Sequence, residues 1–217
     1  DSKDNTVTKV KNLIKQNQSI KLIVNNKNYG HLLSPFHGIK QSSGDATILI
    51  NADFQDPPEL IKDLIKSWES GNKITLLQKT KTDEPFLMRY VRKFYYWFLS
   101  KTSSNNLTQN TTGSGIIDKS IVDLLKKIND PVPYLRGLLA EIGPAISLVK
   151  FEQPSRRKGY TKNNFFTLFD LAMIGLIKQS KFFLRFMTIC GLTISVLSFL
   201  TSIIFFTLKL IFWDQFE

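Results

Sequence analysis

Apolar positions recur along this chain with two periods, and their alternation predicts a run of helices and strands. Residues 4–17 place Val7, Val10, Leu13 and Ile14 on one stripe behind Asp4 or Asn5 as a cap, the pattern of an amphipathic helix. Ile20 to Val24 reads as a short strand, and His31 to Gln41 as a second helix stopped by Ser42-Ser43-Gly44-Asp45. The apolar run Ala46 to Ile50 is a strand, and Pro58 to Ser70 a helix with Leu60, Ile61, Leu64, Ile65 and Trp68 on one face. A strand at Ile74 to Gln78 follows. Phe86 to Leu99 reads as a helix whose aromatic surface is interrupted by Arg89, Arg92 and Lys93. Gly113-Ser114-Gly115 leads into a strand at Ile116-Ile117. Helices at 119–128 and 134–142, separated by Asp130-Pro131-Val132-Pro133, then precede a last strand at 146–151. Helices and strands alternating across short loops are the rhythm of a parallel, doubly wound α/β sheet.

The pattern changes character after Phe151. Residues 153–162 (QPSRRKGYTK) are basic and loop-like. Residues 163–180 carry a broad apolar face, as in a helix lying in a membrane interface. Phe186 to Leu208 then runs without a charge between Arg185 and Lys209, longer than the about 20 residues a bilayer core requires. Lys150, Arg156, Arg157, Lys158, Lys162, Lys178, Lys181 and Arg185 precede this run and only Lys209 follows it, so the positive-inside rule puts the folded domain in the cytoplasm, at the inner membrane. The expected division is a folded α/β domain over 1–151, a basic loop and juxtamembrane helix over 152–181, and a transmembrane helix over 182–213.

Composition narrows the chemistry. A net charge of +11 and a pI of about 9.7 suggest a polyanionic partner: a phosphorylated substrate, an anionic membrane surface or nucleic acid. One cysteine, Cys190, excludes an internal disulfide and any cysteine-based metal site, and two histidines, His31 and His37, argue against a histidine site. A cation here would rely on carboxylates, which selects Mg²⁺ or Mn²⁺ over zinc.

The stretch NADFQDPPE, Asn51 to Glu59, sets carboxylates at the carboxyl end of an apolar strand, where open α/β sheets hold their ligands. On spacing alone Asp53 is a cation ligand or, with Asp56, a cap for the helix that Pro57 and Pro58 open; Asp56 is the cap in both readings. Gly113-Ser114-Gly115 and Ser42-Ser43-Gly44 match no phosphate-binding fingerprint.

NADFQDPPELI, the segment GSGIIDKSIVDLLKKINDPVPYLRGLLAEIG (113–143), QPSRRKGYTKNNFFTLFDLAMIG (153–175) and the apolar run behind them resemble a family 2 glycosyltransferase of the polyprenyl-phosphate type. Dolichol-phosphate mannose synthase and bacterial enzymes that load a sugar onto undecaprenyl phosphate are of this type, and the similarity covers essentially the whole chain. It implies a GT-A, Rossmann-like fold, a nucleotide-sugar donor, Mg²⁺ or Mn²⁺, and inverting transfer to a lipid phosphate for cell-surface glycan synthesis. In such enzymes the second acid of an Asp-x-Asp pair binds the metal, a role that falls on Asp53, with Gln55 close to the donor. Asn51 stands at the first position and brings no charge. Members begin with strands that precede the part seen here. Asp1 resembles the last acid of an Asp-Asp pair in the donor site, so the chain reads as a GT-A domain lacking its first strands. Members commonly carry two membrane spans, and tetramers occur among them, which allows a homo-oligomer.

A lipid phosphate with a second pKa near ~6 is already anionic at neutral pH and needs no general base. Cationic side chains that gather phosphates are needed instead. Arg136 of YLRGL, and Arg157 with Lys158 of RRKG, are the candidate donor or acceptor phosphate clamps, arginine because of its rigid fork of donors. Arg157 and Lys158 read equally well as a juxtamembrane cluster for anionic lipid. Arg89 and Arg92 could receive the acceptor phosphate or snorkel on a surface helix. Asp118 and Glu141 either support the site residues from behind or are ordinary structural acids. Two other classes compete with the enzyme: a membrane-tethered basic module that binds lipid or nucleic acid without turnover, and an inactive remnant. The acidic loop at a strand end favours the enzyme, with no nucleic-acid partner.

Overall fold

The computed structural model describes residues 2–80, 86–103, 108–143, 145–154 and 165–213. Two helices open the chain, α1 (Thr6–Gln16) and α2 (Gly30–Lys40), before the first strand, β1 (Ala46–Leu49). A 3-10 turn at Pro58–Leu60 leads into α3 (Ile61–Glu69), followed by β2 (Ile74–Lys79), α4 (Phe86–Thr102) and β3 (Thr111–Asp118). Then come α5 (Lys119–Lys127), α6 (Leu135–Ile142), β4 (Ser147–Phe151), α7 (Phe165–Gln179) and α8 (Phe182–Ile211).

The four strands form one sheet in the order β1-β3-β2-β4. β2 and β4 are parallel, but β3 runs antiparallel to both of its neighbours, β1 and β2. The all-parallel sheet expected from the helix–strand rhythm is therefore corrected to a mixed one. The reason is the path of the chain: β3 starts at the end of the sheet where β2 finishes, a reversal that hydrophobic period alone does not encode.

Alternation along β2 and β3 builds two cores, one on each face of the sheet. Ile74, Leu76 and Ile117 face α2, α5 and α6, meeting Phe36, Ile39, Ile121, Val122, Leu125 and Leu139. The intervening Leu77 and Ile116 face the other way, meeting Leu64 of α3 and Phe151 of β4. Each face of the sheet is thus covered by helix, the three-layer arrangement that makes a central strand such as β2 apolar along its length.

Two strand expectations change. Ile20 to Val24 lies outside every strand: Ile23 and Val24 are exposed, and no described strand takes its ladder bonds, without which an extended apolar run is not a strand. β3 is longer than expected, eight residues from Thr111 to Asp118, and it includes the whole Gly113-Ser114-Gly115 stretch. Gly115 is required there, because a Cβ would stand 2.2 Å from the Thr75 carbonyl oxygen of β2.

Asp118 ends β3 and caps α5. Its Oδ1 accepts from Ser120 N at 3.0 Å and from the Ser120 hydroxyl, while Trp68 Nε1 donates to Oδ2 at 2.8 Å and Lys73 Nζ to Oδ1 at 3.1 Å. The Ser120 hydroxyl, then the Trp68 indole and the Lys73 ammonium, hold this carboxyl far below the usual carboxylate range against the opposing effect of burial. Asp118 is a structural acid. Glu141 lies exposed on α6, and His31 and His37 are exposed on α2.

Candidate functional site

β1 ends at Leu49, and the loop it delivers folds back on itself before the 3-10 turn. Asp53 Oδ1 accepts from Gln55 N at 3.1 Å, a side-chain turn of the kind Asp makes two residues ahead. Between them Phe54 adopts φ 60, in the left-handed region, with its ring exposed. A bulky residue held there is a strained position, and such strain concentrates where a loop must keep one shape.

Asp56 does not cap the helix. The capping position belongs to Pro57, with φ −57 and ψ 132, and no side chain bonds to the helix start. Asp56 instead points inward and is 1% exposed. Its Oδ2 accepts from the Ser114 hydroxyl at 2.6 Å and from Asn51 Nδ2 at 2.7 Å, and Asn51 Nδ2 also donates to Ser114 Oγ at 3.2 Å. These bonds tie the loop after β1 to the middle of β3. A sequence reading misses Ser114, because a serine between two glycines carries no signal that it will face a carboxylate 58 positions earlier.

Arg136 reaches the same part of β3. A Cβ built on Gly113, at φ 87, would lie 3.4 Å from Arg136 Nε, so the guanidinium rests against the strand one residue from Ser114. Arg136 lines a small cleft together with Tyr96, Thr111 and Tyr134. Burial pushes the Tyr134 phenol up despite the opposing Arg136 guanidinium, so it stays protonated and available as a donor. Burial likewise raises the neighbouring Tyr95, whose hydroxyl donates to the Ala172 carbonyl of α7 at 3.3 Å.

Of the other expected residues, Asn51, Asp53 and Gln55 share the one loop. Arg89 and Arg92 lie on the exposed, aromatic-rich face of α4, among Tyr90, Phe94 and Trp97. Asp1, Arg157 and Lys158 lie outside the described residues.

α4 also forms the mount for the C-terminal helix. The Phe98 ring meets Phe182 edge-on at 5.4 Å and Phe183 at 5.8 Å, and the Ser180 hydroxyl donates to the Thr102 carbonyl at 3.1 Å. α7 is fastened to α6, since a Cβ on Gly137 would collide with Gln179 Nε2, and Lys178 pairs with Asp130 at 2.6 Å. α8 is 30 residues long; its most apolar 18-residue stretch has a mean hydropathy of 2.2, and none of that stretch is buried in the protein. It is long and apolar enough to cross a membrane, and the described residues do not bury it.

The oxygen donors of the loop suit a hard cation. Among the described residues no group of three or more Asp, Glu, His or Cys side chains converges, so these residues alone do not form a closed cage. That agrees with how Mg²⁺ is commonly held, by one or two carboxylates together with substrate phosphates. Asp53 is the side chain that would hold it, and Asn51 is the neighbouring oxygen donor.

Comparison with known proteins adds three relatives and one family. The family model described as glycosyl transferase family 2 matches residues 1–123. An uncharacterized glycosyltransferase of Synechocystis is 30% identical over 198 residues, 91% of this chain and 62% of that protein. The uncharacterized glycosyltransferase YkcC of Bacillus subtilis is 29% identical over 192 residues, 88% and 59% respectively. The bactoprenol glucosyl transferase of Shigella phage SfV is 29% identical over 175 residues, 80% and 57%. The chain thus spans about three-fifths of the length of these relatives.

Proposed function

The chain belongs to glycosyl transferase family 2, and from that premise we propose that it transfers a sugar from a nucleotide-sugar donor to a polyprenyl phosphate, with inversion, at the cytoplasmic face of the membrane. The observation that carries this reading is the joining of three features in one fold. The carboxylate loop after β1 is tied to β3, Arg136 rests on β3 beside that tie, and α4 connects the domain to an unburied apolar helix of membrane length. The lipid acceptor is further supported by similarity to a relative named for bactoprenol.

In the proposed reaction a phosphate oxygen of the lipid attacks the anomeric carbon of the donor sugar. The new carbon–oxygen bond forms as the bond to the nucleoside diphosphate breaks, and the diphosphate leaves with the electron pair. The attacking oxygen is already anionic near neutral pH, so no side chain has to remove a proton. What this chain's residues contribute is charge and position. Asp53 would hold Mg²⁺ or Mn²⁺ against the donor diphosphate, and Gln55 and Asn51 would border it. When bound, the cation supplies Lewis-acid stabilisation of the departing diphosphate. Arg136, with Arg157 and Lys158, would gather phosphate charge, and Arg89 and Arg92 would meet the acceptor phosphate from the aromatic face of α4. A cell-surface glycan is the destination of sugars loaded in this way.

The test is transfer of radiolabelled sugar from nucleotide sugars to undecaprenyl phosphate in membranes that contain this chain or an upstream-extended version of it. Metal-dependent formation of a lipid-linked sugar that Asp53→Ala abolishes is the expected result. No transfer by the extended protein, or normal transfer by Asp53→Ala, overturns the reading.

A further inference from the structure

The loop after β1 contains a buried carboxylate to which the proposed transfer gives no part. Asp56 is 1% exposed, and its Oδ2 accepts two hydrogen bonds, from Asn51 Nδ2 at 2.7 Å and from Ser114 Oγ at 2.6 Å. Asn51 Nδ2 also lies 3.2 Å from Ser114 Oγ, on the same side as the carboxylate. The amide nitrogen and the hydroxyl each direct a hydrogen at the same carboxylate oxygen.

A carboxylate oxygen at 2.7 Å permits the Asn51 amide one orientation. Turned over, it would set its carbonyl oxygen against the Asp56 oxygen, with no proton between two acceptors. The nitrogen is therefore directed inward and the carbonyl oxygen is left for the exposed side of the loop, where Asn51 itself is exposed. The same contact explains why an amide stands at position 51: an aspartate there would face Asp56 as carboxylate against carboxylate.

Fold stability gives little reason for a carboxylate at position 56. Its other oxygen, Oδ1, is buried without a hydrogen-bond partner, a state that destabilises a fold and that an apolar side chain would avoid. An acceptor that can only accept is nonetheless what fixes the direction of Asn51.

We infer that Asp56 and Ser114 are positioning residues that act through Asn51, holding its carbonyl oxygen toward the cation–diphosphate group of the donor. The inference rests on the proposed function for the identity of that group. The two residues touch neither donor nor cation; their effect passes through the amide.

A double-mutant cycle tests this without turnover. Mn²⁺ is titrated into the purified full chain with inorganic pyrophosphate, free Mn²⁺ is read by electron paramagnetic resonance, and thermal unfolding is followed in parallel. Asp56→Ala and Asn51→Ala are each expected to weaken Mn²⁺ binding by roughly 10-fold or more, the range for partners that orient a ligand. The double variant is expected to bind about as well as either single one, because the two act in series. Should Asp56→Ala fail to fold, the cycle of Ser114→Ala with Asn51→Ala asks the same question, with the same expected non-additivity. The inference is overturned if the losses multiply in the double variant, if Asp56→Ala and Ser114→Ala leave Mn²⁺ binding unchanged, or if the parent chain binds no better than Asp53→Ala. A coupled cycle without sugar transfer counts against the transfer reading alone. Transfer with an uncoupled cycle counts against this inference alone.

Discussion

Trp68 Nε1 donates to Asp118 Oδ2 at 2.8 Å, so the helix on one face of the sheet is bonded to the residue that starts the helix on the other. Asp118 is held in its charged form by Ser120, Trp68 and Lys73, with a folded-state pKa well below the ordinary value of about 4. A depressed carboxyl contributes stability that is complete above the unfolded value and is lost as pH falls through the folded one. Unfolding temperatures of the wild-type chain should therefore drop steeply below about pH 4. Asp118→Asn should be less stable at pH 7 and show a shallower acid dependence. Equal slopes for the two proteins would exclude Asp118 as a source of the acid sensitivity.

Gly115→Ala tests the close approach of β2 and β3. The added methyl would meet backbone, the Thr75 oxygen at 2.2 Å and Leu76 Cα at 2.9 Å, and neither can rotate away. A loss of about 1–3 kcal/mol or more, the range for overpacked cores, is expected in chemical denaturation. Gly137→Ala meets side chains and no backbone, the end of Gln179 at 2.1 Å and the Tyr134 ring at 2.7 Å, and both have to shift to admit the methyl. Its signature would be faster hydrogen exchange in α7, with the sheet unaffected.

Tyr95→Phe removes the hydroxyl that donates to the Ala172 carbonyl and so ties α4 to α7. A loss of about 1 kcal/mol is expected, seen as earlier release of α7 in hydrogen exchange. Because burial raises this phenol, the folded state keeps its proton where the unfolded chain has lost it. Stability should accordingly fall as pH rises above about 10, and Tyr95→Phe should flatten that fall.

Arg136→Lys keeps the charge at the cleft but loses the planar fork that lies against Gly113. If Arg136 gathers phosphate through paired donors, transfer should drop by roughly 10-fold or more in Arg136→Lys and further in Arg136→Ala, about 1.4 kcal/mol for each factor of ten. Identical rates in the two variants would mean that the fork has no part in the reaction.

Much of the scaffold was legible because it depends on local periodicity. The α3 stripe from Leu60 to Trp68, the apolar run of β2 and the long α8 all follow from spacing alone. The direction of β3 was not, because strand direction is set by how the intervening helix returns the chain. Nor was the fate of Asp56. An aspartate before two prolines gives the same local signal whether it faces the helix start or a serine on β3, and only tertiary contact distinguishes them. Arg136 was legible as a cation in a telling motif, while its seat on Gly113 depended on a glycine that local pattern placed ahead of the strand.

The rings of Phe98, Phe182 and Phe183 make the C-terminal helix a fixed strut and not a leash. A domain on a leash samples many heights above a surface, whereas one on a strut keeps its cleft at a single depth. Under the proposed function, the height of the cleft above the membrane would be set by these aromatic side chains. A lipid headgroup would have to present itself at that level, whatever the length of the tail beneath it.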